Sequence, residues 1–349
     1  MPLVDQRRPH LVQGRGFTLL MTGLPVALAA AVAFSVGIGT VDVPVDRVVA
    51  VVWAHLTGDT AGLDPLTDQI VWTFRTPRVL LAAVTGAGLS LAGLCLQTLV
   101  RNPLADPYTF GVTAGASLGA VVVMATGIAA GISVAGGAFA GSSLSLLVVF
   151  VMAQRGGRLV GTSLVLAGVA VAYLGMAGTG LLQLLIDPSE LRGVMFWLLG
   201  SVAGASWPDL AIPAAATAVI GLWLMSRGRM MNALATGDDT AAGLGVDVNR
   251  LRILLLVAAS LLTATVVSVA GGIGFVGLVV PHAVRLVVGP DHRKVIPVSV
   301  LGGAVFLVLV DLATRTVNRP NEMPIGIFTA ALGAPFFLML LRGRKRALR

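Results

Sequence analysis

Few side chains in this sequence combine chemical reactivity with an apolar setting, and their spacing narrows what they can do. Asp311 is the one carboxylate deep in an apolar run, and Arg315 follows four places on. That separation puts an acid and a base on one helix face. It predicts a structural ion pair, because coupling transport to an ion gradient needs several intramembrane carboxylates or broken-helix ligand sites. Gln97, Gln183 and His282 are the few other amide or ionisable side chains deep in the apolar runs. The histidines, His10, His55, His282 and His292, have no partner at metal-ligand spacing and no acid cluster beside them. His282 after Pro281 predicts a polar cap at a helix interruption, and His292 with Arg293 and Lys294 predicts a simple turn. No metal or other cofactor is expected on this chain.

Nucleotide chemistry fails a similar test. Gly272-Ile-Gly274-Phe-Val-Gly277 matches the dinucleotide fingerprint by letter, but it lies between two apolar runs and its next acid is Asp291. The fingerprint requires a preceding strand and an acid about twenty residues on. A phosphate-cradling GxxxxGK[ST] is missing, since neither Lys294 nor Lys345 follows a suitable glycine. The chain is therefore expected to be no enzyme; if ATP powers it, ATP and Mg are bound by a partner chain. The single cysteine, Cys95, lies in an apolar run, so an intrachain disulfide is excluded.

These residues belong to a chain of 349 residues that is 56% apolar and 11% charged, with a mean hydropathy of +0.92. Soluble domains carry roughly a quarter charged residues, which leaves the lipid bilayer as the solvent. Apolar runs near the ~20 residues of a spanning helix occur at 17–39, 79–100, 108–131, 133–152, 159–186, 210–226, 251–270, 273–289, 295–317 and 324–341. They predict an all-α polytopic membrane protein of about ten transmembrane helices. The seventh and eighth runs are separable only at Gly271, Gly272 and Gly274. Arg7, Arg8 and Arg15 precede the first run, whose length and nine successors predict an uncleaved helix rather than a signal peptide. Gly111, Gly115 and Gly119, with Gly86, Gly88 and Gly93 one run earlier, predict close helix approach.

Charge orients the spans. Of 24 basic residues, 22 are arginine, and the net charge is +8. With the N-terminus inside, the inner loops hold eighteen basic residues and six acids, a net +12, and the outer side six basic residues and ten acids, a net −4. Basic residues accumulate in cytoplasmic loops, so both termini are expected in the cytoplasm and nucleic acid is not an expected partner. Arg75 and Arg78, in Phe-Arg-Thr-Pro-Arg, run against the charge of the acidic side. They suit carboxylates on a docking partner, with headgroup anchoring as the plainer alternative.

Two inner connections stand out. Arg101-Asn-Pro-Leu-Ala-Asp-Pro107 has prolines that stop one helix and permit the next. The stretch from Arg227 to Arg250 predicts two short helices about Gly237, the second capped by Thr236 or Asp238 and ended by Gly243 or Gly245. Such helices would receive a push from a soluble motor; an ordered loop without consequence is the alternative.

Together these motifs resemble the FecCD family, the permease subunits of type II ABC importers for ferric siderophores, haem and cobalamin. The resemblance rests on Arg75-Thr-Pro-Arg78, Gly86-Ala-Gly-Leu-Ser-Leu-Ala-Gly93, Gln97, Asn102-Pro-Leu-Ala-Asp-Pro107, Gly111-Val-Thr-Ala-Gly-Ala116, Trp197-Leu-Leu-Gly-Ser201, Gly274-Phe-Val-Gly-Leu-Val-Val-Pro-His282, Arg285, Asp291-His-Arg293, Asp311, Arg315 and Met323-Pro-Ile-Gly-Ile-Phe-Thr-Ala-Ala-Leu-Gly-Ala-Pro-Phe337. It departs at Met323, where an acidic residue is common, and in having almost no lysine in the coupling region.

The resemblance implies one permease domain over residues 1–349, with 227–250 as its cytoplasmic coupling loop. It also implies a second permease copy or close paralogue, two ABC ATPase subunits and an extracytoplasmic substrate-binding protein, in the inner membrane of a bacterium. Arg75, Arg78 and Arg315 look like the docking arginines of the family. Ala233, Leu234, Gly237, Asp238, Ala241, Leu244 and Gly245 look like its ATPase-coupling segment, and Gln183, Trp197, Gly200 and Ser201 like its pathway and gate. A ferric siderophore is the favoured cargo, with haem and cobalamin as alternatives. A gradient-driven secondary transporter is the competing class. Replacing Arg75 and Arg78 together by Glu is expected to weaken docking and leave the fold intact.

Overall fold

The computed structural model describes residues 14–39, 41–60, 62–126 and 133–347, with the side chains of 155, 158 and 341–347 left aside. Arg7, Arg8, His10, residues 127–131 of the third expected span and Arg349 lie outside the described residues.

Helix α1 (Arg15–Gly37) leads to α2 (Val45–Thr57), a short α3 (Pro65–Asp68) and a π-helical segment, Gln69–Arg75, that runs into α4 (Thr76–Leu99). A 3₁₀ turn at Pro107–Phe110 precedes α5 (Val112–Thr126) and α6 (Val134–Ala153). The two-residue strands β1 (Gln154–Arg155) and β2 (Arg158–Leu159) pair as an antiparallel hairpin, the one departure from an all-helical chain among the described residues. Then follow α7 (Gly161–Gln183), α8 (Leu191–Leu198), α9 (Trp207–Thr236), α10 (Asp238–Gly243), α11 (Val248–Ala270), α12 (Val276–Val288), α13 (His292–Thr316) and α14 (Ile325–Ala347).

Each of the ten expected runs falls on one of these helices. Among the described residues, seven helical stretches are long and apolar enough to cross a membrane, and α5, α12 and Ile325–Leu340 of α14 are shorter apolar helices. The sixth run proves to be part of a 30-residue helix, because α9 continues unbroken through Arg227 to Thr236. The first of the two short helices expected about Gly237 is therefore the end of α9. Pro281 does not interrupt α12, and His282 lies against Phe336 and Phe337 at ring-centroid distances of 6.1 and 5.9 Å.

Helix α4 is the axis of the bundle. It is buried along nearly its whole length and packs against α9, α11, α12 and α13. Small residues permit this. A Cβ at Gly93 would collide with the carbonyl of Gly277 on α12, and Gly115 meets the backbone of Gly141 where α5 lies on α6. Without a hydrophobic driving force between helices in lipid, such close backbone contact is a main source of association.

The helix directions sort the molecule into two ends. One end carries α2, α3 and α8; the other carries the 101–110 connection, the β1–β2 hairpin and α10. Around α2, His55 Nε2 lies 2.6 Å from Asp68 Oδ1, and its ring stacks on Trp72 at 4.2 Å. Trp207 Nε1 donates to the Trp72 carbonyl at 3.0 Å, joining the π-helical segment to the start of α9.

Gly93→Ala is expected to destabilise the protein by ~3 kcal/mol or more, the upper range for overpacking. Gly23→Ala on α1, where a Cβ meets nothing within 4 Å, should be neutral or stabilise by up to ~1 kcal/mol. Thermal unfolding of the two variants in the same detergent checks the contrast.

Candidate functional site

At the end that carries α2, three arginines gather, and two of them converge on the terminus of α1. The last carbonyls of a helix have no intrahelical donor, and guanidinium groups here supply one. Arg75 Nη1 donates to Val36 O at 2.9 Å and Gly37 O at 3.0 Å, and its Nη2 donates to the Val41 carbonyl. Arg315 Nη2 donates to Ser35 O at 2.9 Å and to its hydroxyl, while Nη1 reaches Ile38 O at 3.1 Å. Arg78 faces the other way. Its Nε donates to Asp311 Oδ1 at 3.0 Å, and its Nη1 is chelated by Glu322 Oε1 and Oε2 at 2.8 and 3.0 Å.

Asp311 is fully buried and sits between two cations. Its second oxygen lies 3.2 Å from Arg315 Nε, close enough for charge attraction though not aligned as a hydrogen bond. The expected Asp311–Arg315 pair is present, and Arg78 is the partner that spacing did not reveal. Arg75, Arg78 and Arg315 are 8%, 8% and 5% exposed, so they are buried rim residues rather than the open side chains that their place at a helix mouth suggested. The cluster holds three guanidinium groups and two carboxylates, a surplus of one positive charge. Reversing Arg78 would set a third carboxylate beside Asp311 and Glu322 in a buried pocket, so the Arg75, Arg78 double reversal is expected to destabilise the fold as well as docking.

The second feature is broken backbone. Between α11 and α12 the chain is non-helical at residues 271–275, with Gly271 at φ 69° and Phe275 at φ 66°. Irregular backbone at membrane depth needs protein partners or a water-lined cavity. Ser201 N donates to Ala270 O, Ile325 N to Gly200 O and Gly326 N to Leu199 O, each at 2.9 Å. A Cβ on Gly271 would strike the Trp197 carbonyl. The segment after α8 is thus tied through main-chain bonds to the last residue of α11, where the break begins, and to the start of α14. Trp197 packs on Ala116, Ala120, Ala138 and Val267. Gly200 and Ser201 are in the knot; Gln183, the half-buried last residue of α7, takes no part in its hydrogen bonds.

The opposite end presents α10. Gly237 at φ 133° breaks the chain between α9 and α10 and stands at the N-cap, where neither Thr236 nor Asp238 supplies a side-chain cap. Thr236 Oγ1 instead donates to Ala233 O at 2.7 Å. Asp238 is held at 2.9 Å by Arg252 of α11 and at 3.6 Å by Arg101 of the neighbouring connection. Ala233, Leu234 and Ala241 are buried beneath, Gly245 is exposed, and Leu244 projects with 69% exposure. Leu104, in the 101–107 connection, is likewise an exposed large apolar side chain. Sequence reasoning passed it over, although a leucine between two prolines in a polar connection was a usable signal.

A polar network joins this end to the bundle. Arg285 Nη2 donates to Gln97 Oε1 at 2.6 Å, and Gln97 Nε2 donates to Gly277 O at 2.9 Å. His292 is no exposed turn: it is buried, 2.9 Å from Thr98 Oγ1 and 2.7 Å from Asn232 Oδ1, so it ties the start of α13 to α4 and α9. Asp291 caps α13, and the Arg293 side chain bound to it holds its carboxyl well below the usual range. Asp106 behaves oppositely. It caps the Pro107–Phe110 turn, and burial raises its pKa to about 6.

The bundle of apolar helices, with a buried ionic cluster at one end and a presented short helix at the other, defines a polytopic membrane permease. The model described as the FecCD transport family matches residues 27–343, and the chain belongs to that family. The cobalamin import system permease of Halobacterium salinarum is 45% identical over 81% of this chain and 76% of its own length. The hemin transport permease of Yersinia pestis is 39% identical over 80% and 86%. A solved metal-chelate type ABC transporter, in an inward-facing conformation, superposes with a TM-score of 0.81 at 31% identity, covering 93% of this chain and 99% of that one. The fold is therefore that of a type II ABC importer permease, and the chain is a transport component.

Asp311→Ala leaves two buried guanidiniums short of a carboxylate and should cost about 3–5 kcal/mol. Arg319→Ala, which loses only an exposed partner 3.8 Å away on Asp42, should cost under ~1 kcal/mol; unfolding midpoints compare the two. For Asp106, folding raises the pKa from 3.8 to about 6, so the ionised form opposes folding. The penalty is absent below pH ~4, complete above pH ~6, and up to about 3 kcal/mol. Asn still caps the turn, so Asp106→Asn should melt above the unaltered protein at pH 7, and the gap should close by pH 4.

Proposed function

We propose that this chain is one half of the membrane pathway of an ATP-driven importer for a metal chelate. In this reading a second permease copy or close paralogue completes the pathway, two ABC ATPase subunits sit against the α10 end, and a substrate-binding protein docks at the α2 end. ATP and Mg belong to the ATPase subunits, and this chain carries no resident cofactor. In this reading the basic end faces the cytoplasm with both termini, and the protein sits in the inner membrane of a bacterium. The whole chain acts as one permease domain, with α10 and its flanks as the coupling element.

The observation that carries the reading is the pairing of opposite surfaces on one rigid bundle. At the basic end, α10 holds Leu244 out while Asp238 is bound to both α11 and the α4–α5 connection. A push on α10 thus directly reaches one spanning helix and the connection between two others. At the other end, the arginine cluster keeps a surplus positive charge on an acidic face, which suits acidic lobes on a binding protein. Closure of the ATPase pair on ATP binding would then shift the permease between its two faces, with the knot of residues 197–201, 271–275 and 325–326 as the gate.

Ferric siderophore is the cargo proposed from the sequence. Cobalamin is the second reading, favoured by the 45% identity to a cobalamin permease. Uptake by vesicles holding the complete transporter, supplied in turn with a ferric siderophore and cobalamin, separates the two; uptake that proceeds without ATP and collapses with the ion gradient would overturn the importer reading. Leu244→Asp is expected to abolish co-purification of the ATPase and lower ATP-driven uptake at least tenfold, the loss of a central apolar contact of roughly 1.4 kcal/mol or more, with the melting temperature of the permease unchanged.

A further inference from the structure

The carboxylates on Arg78 differ in kind. Asp311 belongs to α13 and its side chain is wholly buried, whereas Glu322 stands on the 317–324 connection with its side chain 37% exposed. Val317, Asn318, Arg319, Pro320 and Asn321 of that connection are all exposed. Glu322 engages a single nitrogen of Arg78, while Asp311 holds Nε and Nη2 from the protein interior. Of the two, Glu322 is the one that can leave without moving a spanning helix.

We infer that Glu322 is a built-in placeholder: it occupies Arg78 in the free permease and is exchanged for a carboxylate of the docking protein. The proposal rests on the docking reading given above and adds the residue that regulates it. An uncovered guanidinium in this pocket would be costly, because a buried charge without its partner is strongly destabilising. Exchange of one carboxylate for another avoids that state at every stage. Once Glu322 swings out, Arg78 and Arg315 share Asp311 alone, and the cluster gains one unit of positive charge as an acidic lobe approaches. Docking is thereby made conditional on a partner that offers its own carboxylate, and weaker charges fail to displace Glu322.

The test uses the full-length permease in lipid nanodiscs and the purified substrate-binding protein of the same transport system, with docking affinity measured at low and high salt. Glu322→Gln should bind on the order of tenfold more tightly at low salt, since the internal competitor has lost its charge, and the advantage should shrink as salt screens the cluster. Glu322→Asp, which keeps the charge but cannot reach Arg78 as closely, should tighten docking by a smaller factor and serves if the glutamine variant folds poorly. Unchanged or weaker docking in the variants, with salt-dependent docking of the unaltered permease, would remove the placeholder role and leave the docking site standing. Salt-independent docking of the unaltered permease would remove both.

Discussion

Asp311 is the contact on which one end of this molecule depends. A carboxylate with no exposure is stable only when cations and hydrogen bonds surround it, and Arg78 from α4 and Arg315 from its own helix do so. Those same arginines reach outward. Arg315 takes up carbonyls at the end of α1, Arg75 takes up the next ones, and Arg78 gathers the 317–324 connection through Glu322. One buried acid thus sets the relative position of α1, α4, α13 and the entry to α14.

The same scarcity of solvent shapes the rest of the bundle. In lipid every main-chain group must find a partner in the protein, which makes helices the default and any break conspicuous. The break at residues 271–275 is flanked by main-chain hydrogen bonds that tie the segment after α8 to the end of α11 and to the start of α14. Where helices cross at α4–α12 and α5–α6, glycine facing glycine brings the backbones together. Rigid packing along the helices and a single irregular knot between three of them is a division of labour that suits a pathway with two alternating faces.

At the opposite end polar contacts connect elements as well as cap them. Asp238 joins α10 to α11 and to the connection after α4, and His292 with Asn232 joins α9, α13 and α4. A displacement of α10 therefore has several routes into the bundle, in contrast to the β1–β2 hairpin, whose tie is made by Asn249 and Arg252 of α11.

Composition and apolar spacing alone determined the membrane class, the ten apolar helices on which the expected runs fall and the sorting of charge between ends, because a bilayer demands long apolar runs whatever their neighbours. The i, i+4 separation also determined the Asp311–Arg315 pair, and the glycine spacing the close-packed faces, since both are properties of one helix. Contacts between distant elements were decided by the tertiary structure. Arg78 and Asp311 are 233 residues apart and Arg78 and Glu322 are 244 apart, so no local pattern could show that the rim arginines are buried and already paired. His292 read as a turn because its flanks are charged, yet its partners Thr98 and Asn232 come from other helices. Periodicity reports which face of a helix is apolar; which helix covers that face, and which buried charge meets which, follows only when the chain has packed.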